Sequence, residues 1–323
     1  MYLGIDGGGS KTAFALLDDD GTVLALHEEA TCYYPETGLE AAREVLRRGA
    51  MAVLARANAV ADDLRHAFIG LPAYGENSAL QHRLDTLPDG FLPAGRYRCG
   101  NDMVCGWAGS LCAQDGISVV AGTGSIAYGE FEGRSARAGG WSELFGDEGS
   151  AYWIAREALN LFSRMSDGRA EKGPLYALLR AQLQLENDLD LCAHVHSTLG
   201  AQRSAVARFS RTAHAAAVEG DAQAAEIFVR AAKELAQLVV ALSARLRIPV
   251  GTTLRISYSG GVFNAGDVIL NPFRQALAEQ HKLFQMVEPA LPPVIGAALY
   301  AAAQAGRPLS ADALARLIQN SRR

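Results

Sequence analysis

The chain has 323 residues and a mass of 34.3 kDa, with 49% hydrophobic, 20% charged and 7% aromatic residues. A chain of this size and composition can bury a large core without disulfides or structural metals, and its length favours two domains. Thirty basic residues against 35 acidic ones give a net charge of −5, which excludes proteins that bind nucleic acid through a strongly basic surface.

The first 115 residues predict a three-strand meander followed by alternating strands and helices. Apolar stretches of strand length lie at residues 2–5, 12–17, 22–26, 67–71 and 97–99. Asp20-Gly21 is typical of a hairpin turn between the second and third strands. The spacing of apolar residues predicts a helix over 39–59, and another helix follows Asp102 and runs to Cys112.

A similar pattern begins again near residue 117. Strands over 117–121 and 126–131 flank a Gly-Thr-Gly-Ser turn, as the strands within 3–17 flank Gly-Gly-Gly-Ser, and such an echo can indicate a duplicated domain with a cleft between its halves. The later segments are predicted helices over 150–165, 175–185, 202–218, 222–246, 267–281, 294–305 and 311–319, and strands over 254–259 and 284–287. We expect domains 1–115 and 116–323, the second with a helical insertion and a last helix that can pack back on the first.

The first candidate for a ligand site is the segment from Asp6 to Thr12. Its three consecutive glycines allow backbone amides to approach an anion closely, and Ser10, Lys11 and Thr12 can add donors. The segment has neither the spacing of a P-loop nor that of a dinucleotide fingerprint, and a strand rather than a helix follows it. We favour a phosphate-binding hairpin over an ordinary turn, mainly because Asp6 lies at the strand end beside it.

Two further glycine turns follow predicted strands. Gly122-Thr123-Gly124-Ser125 comes after a fully apolar strand, and Ser259-Gly260-Gly261 comes after the strand that begins at Leu254. A single turn of this kind is usually only a turn. Three such turns at strand ends, each expected at the rim of a sheet, point to one extended nucleotide site.

Two acidic positions have both a functional and a structural interpretation. Asp102 lies between a strand and a helix, where a carboxylate can be a general base, although local context alone favours a helix N-cap. Residues 139–153 combine glycines, acids and tryptophans in a way that suits sugar recognition. The same segment can equally be a helix entry with Asp147 and Glu148 at the N-terminus, and both interpretations can hold at once.

The remaining signals concern metals, redox chemistry and location. His194 and His196 are half of a metal site without an apparent third ligand, so we favour a solvent-facing helix. The five cysteines are odd in number and none are spaced as C-x-x-C, which disfavours disulfides and thiolate metal sites. Residues 1–11 contain charges, and no window reaches the ~18 apolar residues of a membrane span, so we expect a cytoplasmic protein without a secretory signal.

Together these motifs resemble the sugar kinases of the actin/hexokinase/Hsp70 superfamily over essentially the whole chain. More narrowly, the chain is similar to the N-acetylglucosamine kinase group of the BadF/BadG/BcrA/BcrD ATPase family. The most specific part is Gly139-Gly140-Trp141 followed by residues 146–155, with the turn 122–125 ahead of it. The resemblance implies an α/β fold of duplicated actin-like, ribonuclease H-like ATPase domains, each with a mixed sheet flanked by helices, around an interdomain cleft.

The resemblance also implies substrates, a cofactor and residue roles. The substrates are ATP and an amino sugar, Mg²⁺ is the cofactor, and Asp102 takes the place of the family's general base beside the sugar. ATP and its phosphates are expected at Gly8, Gly9, Ser10, Lys11, Thr12, Thr123, Gly124, Gly260 and Gly261. The sugar is expected at Asp102, Ser125, Gly140, Trp141 and Asp147, and the metal at Asp6.

Two segments depart from the family pattern. Residues 31–35 contain no Asn, where similar kinases carry one for the sugar, and residues 142–145 also differ. The leading hypothesis is an ATP-dependent kinase of the 6-hydroxyl of N-acetylglucosamine, with glucosamine as the nearest alternative substrate. We expect no nucleic-acid or membrane partner, and the long apolar helices of the second half favour a homodimer.

Two alternatives of other classes stay open. The family also includes ATP-driven reductase activators, which share an iron–sulfur cluster between subunits through closely placed thiolates. Cys99, Cys105 and Cys112 lack that spacing, and the sugar-loop residues would be unexplained. A non-catalytic sugar sensor with a degenerate kinase fold is the other alternative, and the presence of Asp102 argues against it.

Overall fold

Two five-stranded mixed sheets organise the computed structural model, which describes residues 1–198, 200, 202–280 and 283–321. The first sheet contains β1 (Tyr2–Gly7), β2 (Lys11–Leu17), β3 (Val23–Ala30), β4 (His66–Leu71) and β5 (Tyr97–Asn101). The second contains β6 (Gly116–Ala121), β7 (Ser125–Phe131), β8 (Arg134–Gly139), β9 (Leu254–Ser259) and β10 (Phe284–Val287). Their strand orders are β3-β2-β1-β4-β5 and β10-β9-β6-β7-β8.

The two sheets repeat one topology. In the first, β1, β2 and β3 form an antiparallel meander, β4 lies parallel to β1, and β5 lies parallel to β4. In the second, β6, β7 and β8 form the meander, β9 lies parallel to β6, and β10 lies parallel to β9. The echo between the glycine turns therefore extends to a whole sheet, and the predicted duplicated α/β fold is confirmed.

Helices connect and cover the strands. They are α1 (Tyr34–Thr37), α2 (Leu39–Arg56), α3 (Gln81–Asp85), α4 (Met103–Leu111), α5 (Ala151–Ser166), α6 (Pro174–Leu183), α7 (Asp190–Ala193), α8 (Arg203–Ala207), α9 (Phe209–Val218), α10 (Ala222–Arg245), α11 (Asp267–Gln280), α12 (Pro293–Gln304) and α13 (Ala311–Ser321). Short 3₁₀ turns lie at Ala61–Asp63, Ser78–Leu80 and Gly261–Ala265, and a π-helical turn lies at His194–Thr198. Within the described part of the chain, no helix is both long and apolar enough to span a membrane.

The chain divides into two compact units. Unit 1 comprises Met1–Asp115 together with Glu288–Arg323, and unit 2 comprises Gly116–Val287. The break after Asp115 coincides with the expected boundary, but the segment after Val287, which we expected in the second domain, lies with the first.

The physical reason for this placement is close packing of α12 on β1 and α4. A Cβ on Gly4 of β1 would lie 2.5 Å from the Val294 carbonyl oxygen, and a Cβ on Gly109 of α4 would lie 2.8 Å from the Pro292 carbonyl oxygen. Glycine at both positions lets the backbones touch. Two terminal helices, rather than the last one alone, therefore complete unit 1.

Each unit has its own apolar core. In unit 1, side chains such as Ile5, Phe14 and Leu46 pack between the first sheet and α2. In unit 2, side chains such as Val119 and Phe228 pack between the second sheet and α5, α9 and α10. These cores fix the strand ends from which the glycine turns project.

Several elements differ from the sequence prediction, which did not include the short helices α1, α3 and α7. The strand β8 was not predicted, because its sequence RSARAG is largely polar and lacks the apolar alternation of the other strands. The single helix expected over 202–218 is divided into α8 and α9 at Arg208. The histidines 194 and 196 lie in the π-helical turn, and within the described residues no group of three potential metal ligands includes them.

Candidate active site

The first glycine turn joins β1 to β2 as a tight hairpin. The Gly8 amide donates to the Lys11 carbonyl oxygen at 2.9 Å, which leaves Gly9 and Ser10 exposed at the tip. Gly9 does not have a positive φ, and a Cβ on it would meet no described atom within 4 Å. Because the fold does not require glycine here, its open backbone suits close approach by a ligand, as the phosphate interpretation expects.

The two polar residues after this tip are placed differently. Lys11 forms an ion pair with Glu28, and the two side chains are 62% and 60% exposed. Such an exposed pair contributes little to stability, so Lys11 can exchange Glu28 for an anionic ligand. Thr12 is buried, and its hydroxyl donates to the Ala30 carbonyl at 2.9 Å while accepting from the Cys32 amide at 3.0 Å. Here Thr12 holds β2 to the end of β3 and the segment after it, and donation to a phosphate would require its hydroxyl to leave the Ala30 carbonyl oxygen.

Asp6 and Asp102 are brought together at the ends of β1 and β5, the two strands that flank β4. Asp6 of β1 pairs with Gly70 of β4, and a Cβ on Gly70 would lie only 3.1 Å from the Cα of Asp102. Burial raises the pKa of Asp6 to about 7, and the nearby Asp102 carboxylate raises it as well. Burial likewise raises the pKa of Asp102 to about 6. Both shifts are typical of a functional carboxylate pair.

Asp102 precedes α4 but does not cap it. The residue has helical φ and ψ of −59° and −25°, and its side chain makes no capping hydrogen bond within the described helix. Instead, the Oδ1 atom of Asn101 accepts from the Met103 amide at 3.0 Å. The capping role that local sequence favoured for Asp102 therefore belongs to its neighbour, and the Asp102 carboxylate remains available to a substrate.

The second glycine turn lies against the N-terminus of α5. The Ala151 amide donates to the Gly122 carbonyl oxygen at 2.8 Å, and the Tyr152 amide donates to the Thr123 carbonyl oxygen at 3.3 Å. The positive end of the helix dipole is thereby directed at the turn, where it favours anions.

The third glycine turn meets the second across the parallel pair β6 and β9. Gly260 has a φ of +100°, and a Cβ on it would overlap the Ala121 carbonyl group at the end of β6. The fold therefore requires glycine at position 260. Gly261 has no positive φ and, like Gly122, would place a Cβ where no described atom lies within 4 Å. The structure thus brings together the two unit 2 turns that the sequence predicted to share a site.

A cavity of about 680 Å³ opens in unit 2 beside these two turns. Its wall contains Gly122, Thr123 and Gly261 from the turns, Arg208, Arg211 and His214 from the junction and body of α8 and α9, and Asn264 and Phe228. Glycine amides, cationic side chains and apolar surface in one cavity of this size suit a nucleotide. Sequence reasoning missed Arg208 and Arg211, although their spacing of three puts both on one helical face.

Asp147 is buried in unit 2 and held from two sides. Its Oδ1 atom accepts from the Ser125 amide at 3.3 Å, and its Oδ2 atom pairs with the Arg203 guanidinium. Burial raises the pKa of this carboxyl group, whereas Arg203 lowers it. The residue has a φ of +57°, a left-handed conformation that Asp tolerates better than most residues.

Ser125 is the point where the predicted sugar residues of unit 2 meet. Its amide contacts Asp147, its carbonyl oxygen accepts from the Gly140 amide at 2.9 Å, and its hydroxyl donates to the Glu148 carbonyl oxygen at 2.7 Å. The hydroxyl is thus engaged in holding the loop. Trp141, next to Gly140, is 61% exposed and presents an aromatic ring of the kind on which sugars stack.

The predicted residues therefore form two groups. Unit 1 contains Asp6, Asp102 and the first glycine turn, and unit 2 contains the other two turns and the residues around Asp147. Mg²⁺ is commonly held by one or two carboxylates and substrate phosphates, so Asp6 suits it even though the described residues contain no cluster of three potential ligands.

Comparison with known proteins places these features in a family. The model described as the BadF/BadG/BcrA/BcrD ATPase family matches residues 3–301. An N-acetylmuramic acid/N-acetylglucosamine kinase of Clostridium acetobutylicum is 30% identical over 279 residues, covering 85% of this chain and 89% of that protein. An N-acetyl-D-glucosamine kinase of Dictyostelium discoideum is 26% identical over 310 residues, covering 93% of this chain and 97% of that protein.

Solved structures give the same fold. A Chromobacterium violaceum protein described as a candidate N-acetylglucosamine kinase has a TM-score of 0.67 and 25% identity, with 93% of this chain and 98% of that chain covered. A hexokinase of the ROK family from Thermus thermophilus has a TM-score of 0.56 and 16% identity, with 92% and 97% covered. The second likeness concerns the fold alone.

Proposed function

Because the chain belongs to the BadF/BadG/BcrA/BcrD ATPase family, we propose that it is an ATP-dependent amino-sugar kinase. The resemblance predicted from its glycine turns and sugar loop is thereby confirmed. The reaction we assign is transfer of the γ-phosphoryl group of ATP to the 6-hydroxyl of N-acetylglucosamine. Two relatives named as kinases of that sugar support the substrate class.

The observation that carries the proposal is Asp102, a half-buried carboxylate that lies at the start of α4 without capping it. Burial raises its pKa to about 6, close to but below neutral pH. A general base works best when its pKa lies near the working pH, since it is then mainly ionised and still accepts a proton readily. We assign Asp102 the task of accepting the proton of the sugar 6-hydroxyl.

The nucleotide belongs in the cavity of unit 2. The amides of the two glycine turns and the cations Arg208 and Arg211 supply the phosphate contacts, and the partly exposed Ala151 and Ala265 supply apolar surface. Phosphoryl transfer depends mainly on positioning and charge stabilisation, which such a site provides. When bound, Mg²⁺ neutralises phosphate charge, and Asp6 is the residue that would hold it directly or through water.

The sugar belongs beside Asp147, Gly140 and Trp141. A buried carboxylate that is paired with an arginine can accept hydrogen bonds from sugar hydroxyls, and a water-excluding site would suppress transfer to water. Residues 31–35 lack the Asn that similar kinases carry for the sugar, so glucosamine remains the second candidate substrate. A homodimer and a cytoplasmic location remain predictions.

The placement of the cysteines disfavours the reductase-activator alternative. Cys32, Cys99 and Cys105 are buried, whereas a cluster shared between subunits needs closely placed thiolates that reach an interface. Cys112 is partly buried and Cys192 is exposed, but the first belongs to unit 1 and the second to unit 2. We therefore expect a colourless, iron-free protein whose activity is unaffected by air. A brown protein with visible iron–sulfur absorbance would instead support the activator.

The testing experiment measures ADP release from Mg²⁺-ATP with N-acetylglucosamine, glucosamine or N-acetylmuramic acid as acceptor. The proposal expects ATP turnover to rise steeply on addition of N-acetylglucosamine, with a 6-phosphate product identified by NMR. ATP hydrolysis that runs equally fast without any sugar would contradict it.

A further inference from the structure

Arg203, the first residue of α8, is a cation to which the motifs assign no role. Its Nη2 atom pairs with the buried Asp147 carboxylate, and its Nε atom lies 3.4 Å from Glu143 Oε2. The Nε atom is itself buried and makes no hydrogen bond with any described residue. A buried donor that makes no hydrogen bond lowers the stability of the fold. A ligand that supplies an acceptor to this Nε atom would therefore bind favourably.

The position of Arg203 along the second glycine turn suggests what that ligand is. The turn passes from the nucleotide cavity, which its first two residues line, to Asp147, to which its last residue donates an amide hydrogen bond. Gly124 lies between these points, and a Cβ on it would overlap the Arg203 guanidinium. The Arg203 guanidinium therefore contacts the second glycine turn at a point between the nucleotide cavity and the Asp147 carboxylate.

We propose that Arg203 is a catalytic residue that contacts the phosphoryl group while it passes from the nucleotide to the sugar. This inference rests on the proposed kinase function. In the transfer, the sugar oxygen forms a bond to phosphorus, the bond from phosphorus to the ADP oxygen breaks, and the sugar proton goes to Asp102. Arg203 exchanges no atom in this step.

The surroundings of Arg203 prepare it for this role. Negative charge in phosphoryl transfer is spread over three phosphoryl oxygens, and a guanidinium offers several donors in one plane to meet it. Asp147 and Glu143 hold the group in place before the substrates arrive, so little reorganisation is needed at the moment of reaction. Asp147 holds Nη2, whereas the 3.4 Å contact of Nε with Glu143 is not a hydrogen bond, so Nε still lacks an acceptor that the phosphoryl oxygens can supply.

The first test is kinetic and uses Arg203→Met. We expect kcat to fall by roughly 10²–10³-fold, as for the loss of one transition-state donor, while the KM for ATP changes little. The KM for the sugar should rise less than kcat falls, because Asp147 loses its partner but stays in place. Arg203→Lys keeps the charge and should recover part of the loss, which also shows that the effect is not misfolding. The control is Arg169→Met, because Arg169 is an exposed arginine of unit 2 that pairs with the exposed Asp167 at 2.6 Å.

The second test needs no turnover. Calorimetry compares binding of Mg²⁺-ADP alone with binding of Mg²⁺-ADP plus aluminium fluoride and N-acetylglucosamine, which imitates the group in transfer. Arg203→Met should weaken the fluoride complex at least tenfold and leave ADP binding unchanged. The proposal would be overturned if the variant bound the aluminium fluoride complex as tightly as the wild type does. It would also be overturned by a raised sugar KM with normal kcat, because Arg203 would then only hold Asp147. A wild-type protein that phosphorylates no sugar would instead overturn the kinase function itself.

Discussion

At the level of single residues, substitution of Asp102 distinguishes a catalytic role from a structural one. Asp102→Asn keeps the size of the side chain but cannot accept the sugar proton, so kcat should fall by about 10²–10⁴-fold with little change in sugar binding. Stability at neutral pH should not fall, because Asn101 accepts from the Met103 amide and the neutral Asn removes the buried charge whose desolvation raises the pKa of Asp102. Steady-state kinetics and thermal unfolding check both parts.

Asn101→Ala is the matched control for that substitution. It removes the hydrogen bond from the Met103 amide and the one that Asn101 donates to the Tyr74 carbonyl oxygen, and should cost about 1–3 kcal/mol of unfolding free energy. An Asp102→Asn variant with near wild-type kcat would return Asp102 to a structural role and leave Asp147 as the carboxylate to test.

The raised pKa of Asp102 also predicts the pH dependence of the reaction. Only the ionised carboxylate accepts a proton, so kcat/KM should fall about tenfold per pH unit below the pKa of about 6. The stability of the fold changes with pH in the opposite direction. The folded protein binds the Asp102 proton more tightly than the unfolded chain does. The unfolding free energy therefore decreases as pH rises from 3.8 to about 6. Asp102→Asn should reduce that decrease in urea unfolding. A kcat/KM profile that stays flat through pH 6 would argue against Asp102 as the base.

At the element scale, the glycine turns divide into residues that the fold requires and residues that it does not. Gly9→Ala should fold as the wild type does, because a Cβ there meets open space, but it should raise the KM for ATP severalfold by obstructing the phosphates. Gly4→Ala is the contrasting control, since its Cβ would lie 2.5 Å from the Val294 carbonyl oxygen and should destabilise unit 1. An unchanged KM in Gly9→Ala would remove the first turn from the nucleotide site.

The helices and strands also show how much of the structure could be predicted from the sequence. Strands and helices with strong apolar periodicity were predicted close to their observed bounds, as β1 and α10 illustrate. The polar strand β8 was missed because it lacks that signal. The contact between Arg203 and Asp147 was missed because 56 residues separate the two and no motif joins them. The role of Thr12 as a structural link likewise depends on the segment after β3.

At the scale of the whole molecule, the terminal segment after Val287 belongs with the first unit rather than with its sequence neighbours. An alanine-rich helix such as α12 carries the same apolar pattern whichever core it joins, so periodicity alone could not assign it. The assignment comes from backbone contact with α4, where Gly109 and Gly296 lie against each other. We therefore expect α12 to be part of the folding unit that carries Asp6 and Asp102.

Gly296→Ala tests that assignment. A Cβ at this position would overlap the Gly109 backbone and lie 2.5 Å from the Cys105 carbonyl oxygen, so α12 would have to move away from α4. Overpacking of this kind typically costs about 1–3 kcal/mol of unfolding free energy. Gly106→Ala is the matched control on α4, because its Cβ meets no described atom within 4 Å and alanine favours a helix by about 1 kcal/mol. Urea unfolding should show the first variant destabilised and the second unchanged or more stable, whereas equal destabilisation of both would mean that α12 does not rest on α4.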